Sequence, residues 1–135
     1  MMKYLAAYAA VALVMLLLDV LWIGFIAKPL YQQGIGHLMA EKPNLVIAAL
    51  FYAVYAAGLM WFAVAPHANA SSFGKVALTA ALFGFFAYAT YDLTNWATLK
   101  NWPASVAIAD MLWGSFASAA AATTGYYVLR AMPMR

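Results

Sequence analysis

Four acidic side chains occur in this chain of 135 residues, and three of them interrupt long apolar stretches. Asp19, Asp92 and Asp110 lie inside such stretches, whereas Glu41 lies between two of them. A carboxyl group within a bilayer costs roughly 2.5 kcal/mol or more to insert, and it usually marks an ion, proton or substrate site. Clustering of the three groups is the simplest explanation, with at least one proton or cation held among them.

Each of these aspartates is followed, three or four residues later, by a tryptophan, which is Trp22, Trp96 or Trp113. Asn95 stands at the same kind of spacing from the second aspartate. Residues three and four apart lie on one side of a helix, so these side chains are expected beside the acids. Tyr52 is expected at the same depth as a hydroxyl donor. Carboxylates with Trp and Tyr rings are also the components of a cage for an organic ammonium group.

The pattern D-x-L-W-x-x-F occurs twice, at residues 19–25 and 110–116. The two helices that carry it are expected to run in opposite directions. An inverted internal repeat of this kind occurs in some transporters. A chance match over seven residues explains the pattern equally well.

Histidine and cysteine usage gives no metal site, because the chain has no cysteine and its two histidines lie on opposite sides of the membrane. His37 and Glu41 are one helical turn apart in a connection, which favours proton handling at the mouth of the site. Neither a metal nor another cofactor is expected.

The elements that position these residues are four apolar segments, at about 4–27, 44–65, 76–99 and 105–129. The chain is 68% hydrophobic and 8% charged, and each segment has about the 20 residues that cross a hydrocarbon core. We therefore predict an all-α membrane fold, with residues 1–135 forming a single transmembrane domain. Residues 28–43 predict an amphipathic segment between the first two helices of a four-helix bundle.

The termini and the second connection define face A of the membrane, and the first and third connections define face B. At about 1.5 Å per residue, each intramembrane aspartate lies about 10 to 12 Å from the face B end of its helix. The three carboxyl groups should therefore form one layer.

The basic residues divide four to three between the two faces. Face A carries Lys3, Lys75, Arg130 and Arg135, and face B carries Lys28, Lys42 and Lys100. This bias favours cytoplasmic termini. There is no basic run, so nucleic acid is not an expected partner. A stripe of small residues in the last segment predicts close helix packing, within the bundle or in a homo-oligomer. Its members are Gly114, Ser118, Ala122 and Gly125.

The segments LDVLWIGFIAKPLY (18–31), YDLTNWATLKNW (91–102) and ADMLWGSF (109–116) resemble a family of small bacterial inner-membrane proteins filed as domain-of-unknown-function family 2177. The resemblance covers the whole chain. It implies a compact four-helix protein of the bacterial inner (cytoplasmic) membrane, and it carries no established activity.

The leading hypothesis is a small integral membrane protein whose carboxylate and aromatic site binds or transports a proton, a cation or an amine. One alternative is a membrane enzyme acting on a lipid or isoprenoid, with an aspartate as general acid or base and residues 28–43 as a lid. No nucleophile is evident for it. A structural accessory subunit is the third interpretation. The expected partners are the bilayer and a small cation, proton or lipid ligand.

Overall fold

The computed structural model describes residues 1–132, so Arg135, assigned above to face A, lies outside the described residues. This part of the chain is helical and contains no strand. The α-helices are α1 (Met2–Leu21), α2 (Lys28–Ile35), α3 (Leu45–Leu59), α4 (Gly74–Thr98) and α5 (Ala104–Ala131). π-Helical turns extend α1 and α3, over Trp22–Ile26 and Met60–Val64.

Four of these helices, with their extensions, are long and apolar enough to cross a membrane. Their bounds are Met2–Ile26, Leu45–His67, Gly74–Thr98 and Ala104–Ala131. Large apolar side chains are exposed on all four, as expected where lipid is the solvent. The predicted all-α membrane fold with four spans is confirmed, and α2 lies in the predicted connecting segment.

Local sequence signals begin and end these helices. Asn44 caps α3, since its side-chain oxygen accepts a hydrogen bond of 3.2 Å from the Ile47 amide. Pro29 lies in the first turn of α2, where its missing amide hydrogen costs nothing. Asn101 adopts a φ of 62°, a left-handed conformation that Asn tolerates, in the short turn between α4 and α5.

α5 is the central helix of the bundle, and it packs along both α1 and α4. All four members of the small-residue stripe are buried within the bundle. The backbones of α4 and α5 approach closely at Gly84, where an added Cβ would meet the Gly114 carbonyl oxygen and the Ser118 side chain. The stripe therefore serves packing inside one chain.

α2 lies at face B against the start of α5. Tyr31 and Ile35 of α2 share a buried cluster with Trp102 and Val106. At face A, the α3–α4 connection is tied to α5, because the Tyr126 hydroxyl donates a 2.6 Å hydrogen bond to the Ala70 carbonyl. The two ends of the bundle are thus closed by different elements.

Candidate functional site

Asp19 of α1 accepts hydrogen bonds at both of its carboxyl oxygens. The Tyr52 hydroxyl of α3 donates to Oδ2 over 2.7 Å, and the Trp113 indole N–H of α5 donates to Oδ1 over 2.9 Å. The carboxyl group is buried, at 8% relative exposure. Three spans therefore meet at this one side chain.

Asp110 of α5 receives its donor from the connecting segment. The Tyr31 hydroxyl of α2 donates a 2.6 Å hydrogen bond to Asp110 Oδ1, and it accepts one of 3.0 Å from the Trp22 indole N–H. Tyr31 lies outside the spans, and burial, followed by its hydrogen bond to Asp110, raises its pKa well above the usual value. Its hydroxyl therefore keeps its proton at neutral pH.

The two copies of D-x-L-W-x-x-F meet face to face. The rings of Trp22 and Trp113 stack with centroids 4.5 Å apart and planes 4° apart. Each indole N–H is linked to the aspartate of the opposite helix. Trp113 donates directly to Asp19, whereas Trp22 donates to the Tyr31 hydroxyl, which in turn donates to Asp110. The apolar members of both copies point outward and are exposed; they are Leu21, Phe25, Leu112 and Phe116. The direct contact of Trp113 and the indirect contact of Trp22 are not equivalent, and the inverted repeat stays a prediction.

Asp92 of α4 differs from the other two acids. It is fully buried, at 0% relative exposure, and no donor group in residues 1–132 donates a hydrogen bond to either of its oxygens. Its polar neighbour is the Asp110 carboxyl group, with which it interacts electrostatically and can share a hydrogen bond when one of the two is protonated. Of the two residues predicted to accompany it, Trp96 is 44% exposed on the outer surface of α4, and Asn95 is half-buried, with no side-chain hydrogen bond in the described chain.

A cavity of about 350 Å³ lies beside this cluster. Its lining consists of Asp19, Trp22, Ile23, Phe51, Tyr55, Ala87, Tyr88, Tyr91, Asp110 and Trp113. Two of these side chains are carboxyl groups, six are aromatic and none is basic. The cavity is thus an aromatic chamber with acidic groups on its wall.

The helix packing explains where the cavity forms. α4 contacts the π-helical end of α3, Met60–Val64, whereas the body of α3 packs on α1, so α3 and α4 separate toward face B. Aromatic rings border the gap, with the Tyr55 and Tyr88 centroids 6.1 Å apart. Tyr88 lies directly over Gly114, where a Cβ would collide with its ring. The Tyr55 hydroxyl shares a 2.7 Å hydrogen bond with Ser118.

His37 and Glu41 lie away from this cluster. Both side chains are exposed, His37 in the short 3₁₀ turn Gly36–Leu38 and Glu41 in the loop before α3. Their proton-handling role stays a prediction. Among the described residues, no group of three or more His, Cys, Asp or Glu is arranged to hold a metal ion.

Among the side chains that donate hydrogen bonds to the aspartates, Tyr31 is the one that the sequence patterns did not indicate. It lies in the connecting segment, outside the apolar stretches that directed attention to the acids. The sequence indicates its burial only weakly, through the one-turn spacing of Tyr31 and Ile35, which form the buried side of α2. Only the tertiary contact with Asp110 shows that this buried side carries a hydrogen-bond donor into the acidic cluster.

The fold and the buried polar cluster define a four-span integral membrane protein with polar groups inside its spans. The family model described as "Predicted membrane protein (DUF2177)" matches residues 4–127, and the chain belongs to this family. No curated protein and no solved structure matched the chain.

Proposed function

We propose that this protein binds a lipophilic organic ammonium cation in the aromatic cavity, with Asp19 and Asp110 as counter-charges. The observation that carries the proposal is the lining itself, which combines two carboxyl groups with six aromatic side chains and contains no Lys or Arg among the described residues. Four residues singled out from the sequence line it: Asp19, Asp110, Trp22 and Trp113. Tyr52 orients the first of them.

The chemistry of the lining favours an organic cation over a hard inorganic ion. Hard cations such as Ca²⁺ need about six to eight oxygen ligands, and this cavity offers mainly ring faces. A desolvated ammonium group over an aromatic ring gains about 2 kcal/mol or more. Asp19 accepts hydrogen bonds from Tyr52 and Trp113, and these donors offset part of the cost of burying its charge, so a bound ammonium group would complete its set of partners.

The rim of the cavity indicates how a ligand would enter. The partly exposed lining residues are Ile23 in the π-helical extension of α1, Phe51 in α3 and Tyr91 in α4, and all three lie within spans. An entrance bordered by spans opens to the bilayer, so the ligand should be soluble in membranes. The expected setting is a bacterial inner membrane, and binding there is the first step of any transport.

A pair of isosteric ligands tests the proposal directly. Benzyltrimethylammonium and neopentylbenzene have the same shape, and they differ in the charge of one central atom. We expect the purified protein in lipid nanodiscs to bind the cation at least 10-fold more tightly than the neutral compound, read from quenching of tryptophan fluorescence. Equal affinity for the two compounds would contradict the proposal.

Variants of the two aspartates that line the cavity test whether their carboxylates act as counter-charges. Asp19→Asn is expected to weaken cation binding at least 10-fold and to leave binding of neopentylbenzene unchanged, because the shape of the site is kept. Asp110→Asn removes the other carboxylate while Asp19 keeps both its donors, so it serves if Asp19→Asn folds poorly. Tyr127→Phe, which alters an exposed side chain outside the cavity lining, is the control and should bind like the wild type.

A further inference from the structure

The carboxyl group of Asp92, which receives no hydrogen bond, indicates that the site next to the cavity also binds a proton. Its immediate titratable neighbours are Asp110 of α5, Tyr31 of α2 and Tyr91 of its own helix. No Lys or Arg forms an ion pair with it in residues 1–132. An ionised carboxylate at 0% exposure with neither a donor nor a counter-charge would bear the full cost of burial.

A proton bound to the carboxyl group removes the cost of burying its charge. Two carboxyl groups that share a buried site are not both ionised without a nearby counter-charge, so one proton stays with the pair in the ligand-free protein. Asp110 accepts from Tyr31 at Oδ1, and no donor occupies its Oδ2 in the described chain. Tyr31 does not take part in the exchange, because its raised pKa keeps its own proton in place.

We infer that Asp92 and Asp110 together hold one exchangeable proton, and that binding of the organic cation in the cavity releases it. The inference rests on the proposed function, since Asp110 belongs to both sites: it lines the cavity and neighbours Asp92. A positive charge arriving beside Asp110 stabilises the ionised form of the pair.

The exchange balances charge and atoms. One ammonium cation enters the cavity, and one proton leaves the O–H bond of the Asp92 and Asp110 pair for water, so the net charge of the site is unchanged. Asp19 is not a member of this pair, because both of its carboxyl oxygens already accept hydrogen bonds from Tyr52 and Trp113. Cation affinity should therefore rise with pH while the pair carries its proton in the unliganded protein.

Calorimetry in buffers of different ionisation enthalpy counts the released protons. For the wild type and benzyltrimethylammonium at neutral pH, we expect between about half a proton and one proton per bound cation. In Asp92→Asn the release should fall to near zero, while the cation still binds within about threefold of the wild-type affinity. Tyr127→Phe, which alters an exposed residue outside the cavity, should release protons like the wild type.

Infrared spectroscopy of the ligand-free protein examines the proton without any ligand. A protonated carboxyl C=O band should be present in the wild type and absent from Asp92→Asn, in which Asp110 keeps the Tyr31 donor and can ionise. Tight cation binding without proton release, or wild-type release from Asp92→Asn, would overturn the inference and leave the proposed function standing. Absence of cation binding together with the Asp92-dependent band would overturn the coupling and the proposed function, but not the shared proton.

Discussion

The two halves of the bundle are built from different side chains. Toward face A, the packed half is rich in small residues that are fully buried, although Tyr126 and Leu59 are buried among them. The small residues include Ala7, Val11, Ala63, Val64, Ala80, Ala121 and Ala122. Toward face B, the site half contains the three aspartates, the stacked tryptophans and the cavity. Small side chains let helices approach closely, whereas rings and carboxyl groups hold them apart. The contrast indicates that close packing supports the fold while the looser half is available for binding.

The largest expected effect comes from disturbing the seam between α4 and α5. Gly84→Ala places a methyl group against the Gly114 carbonyl oxygen, a backbone atom that cannot rotate away. We expect a loss of about 3 kcal/mol in the free energy of unfolding, at the upper end of the usual overpacking cost. Unfolding in mixed detergent and SDS micelles measures it.

Gly24→Ala is the matched control for that substitution. No atom lies within 4 Å of the position that its Cβ would take, so its free energy of unfolding should stay near the wild-type value. Similar stability of Gly84→Ala and Gly24→Ala would contradict the contrast between the two halves, because close contact between α4 and α5 would then not be needed for stability.

In the site half, Tyr31→Phe is expected to lower the free energy of unfolding by less than Gly84→Ala does. The substitution removes the donor to Asp110 and the acceptor of the Trp22 N–H, while the ring still fills its place. Unpaired buried polar groups cost about 1 to 3 kcal/mol, and hydrogen bonds in membranes fall toward the low end, so we expect about 1 to 2 kcal/mol. Thermal unfolding in detergent gives the difference.

Tyr127→Phe controls for loss of a tyrosine hydroxyl. Tyr127 is 51% exposed, and its hydroxyl has no hydrogen bond within residues 1–132. Its stability should change by less than about 0.5 kcal/mol. If Tyr31→Phe were as stable as Tyr127→Phe, the hydrogen bonds of Tyr31 would add nothing to the stability of the fold. Stability would then come from the packed half alone.

The smallest predicted effect is a pH dependence that arises from Tyr31. Its pKa is raised in the folded protein, so its contribution to stability is fully present below the unfolded pKa of about 10 and is lost as the pH rises further. The stability difference between the wild type and Tyr31→Phe should narrow by up to about 1 kcal/mol between pH 10 and 11. Unfolding of both proteins across this range measures it, and a constant difference would contradict the assignment.

The sequence predicted much of the site because lipid makes its signals strong. Asp19 and Asp110 stood out in apolar stretches, and helical spacing linked them to Trp22 and Trp113. The same spacing gave Trp96, which the structure places on the outer surface of α4. Spacing along one helix cannot tell which side of the helix faces its neighbours when nearly every side of the span is apolar.

Tyr31 and the cavity depend on contacts between distant parts of the chain. The Tyr31 hydroxyl meets a carboxyl group 79 residues away, and the cavity exists because α3 and α4 separate. The sequence by itself determined the four spans and their order, because the cost of exposing polar groups to lipid depends on local composition. The common depth of the acids stays a prediction. Only the tertiary structure decided that Asp19 has two donors, Asp110 one and Asp92 none, because hydrogen bonds depend on how helices rotate and cross.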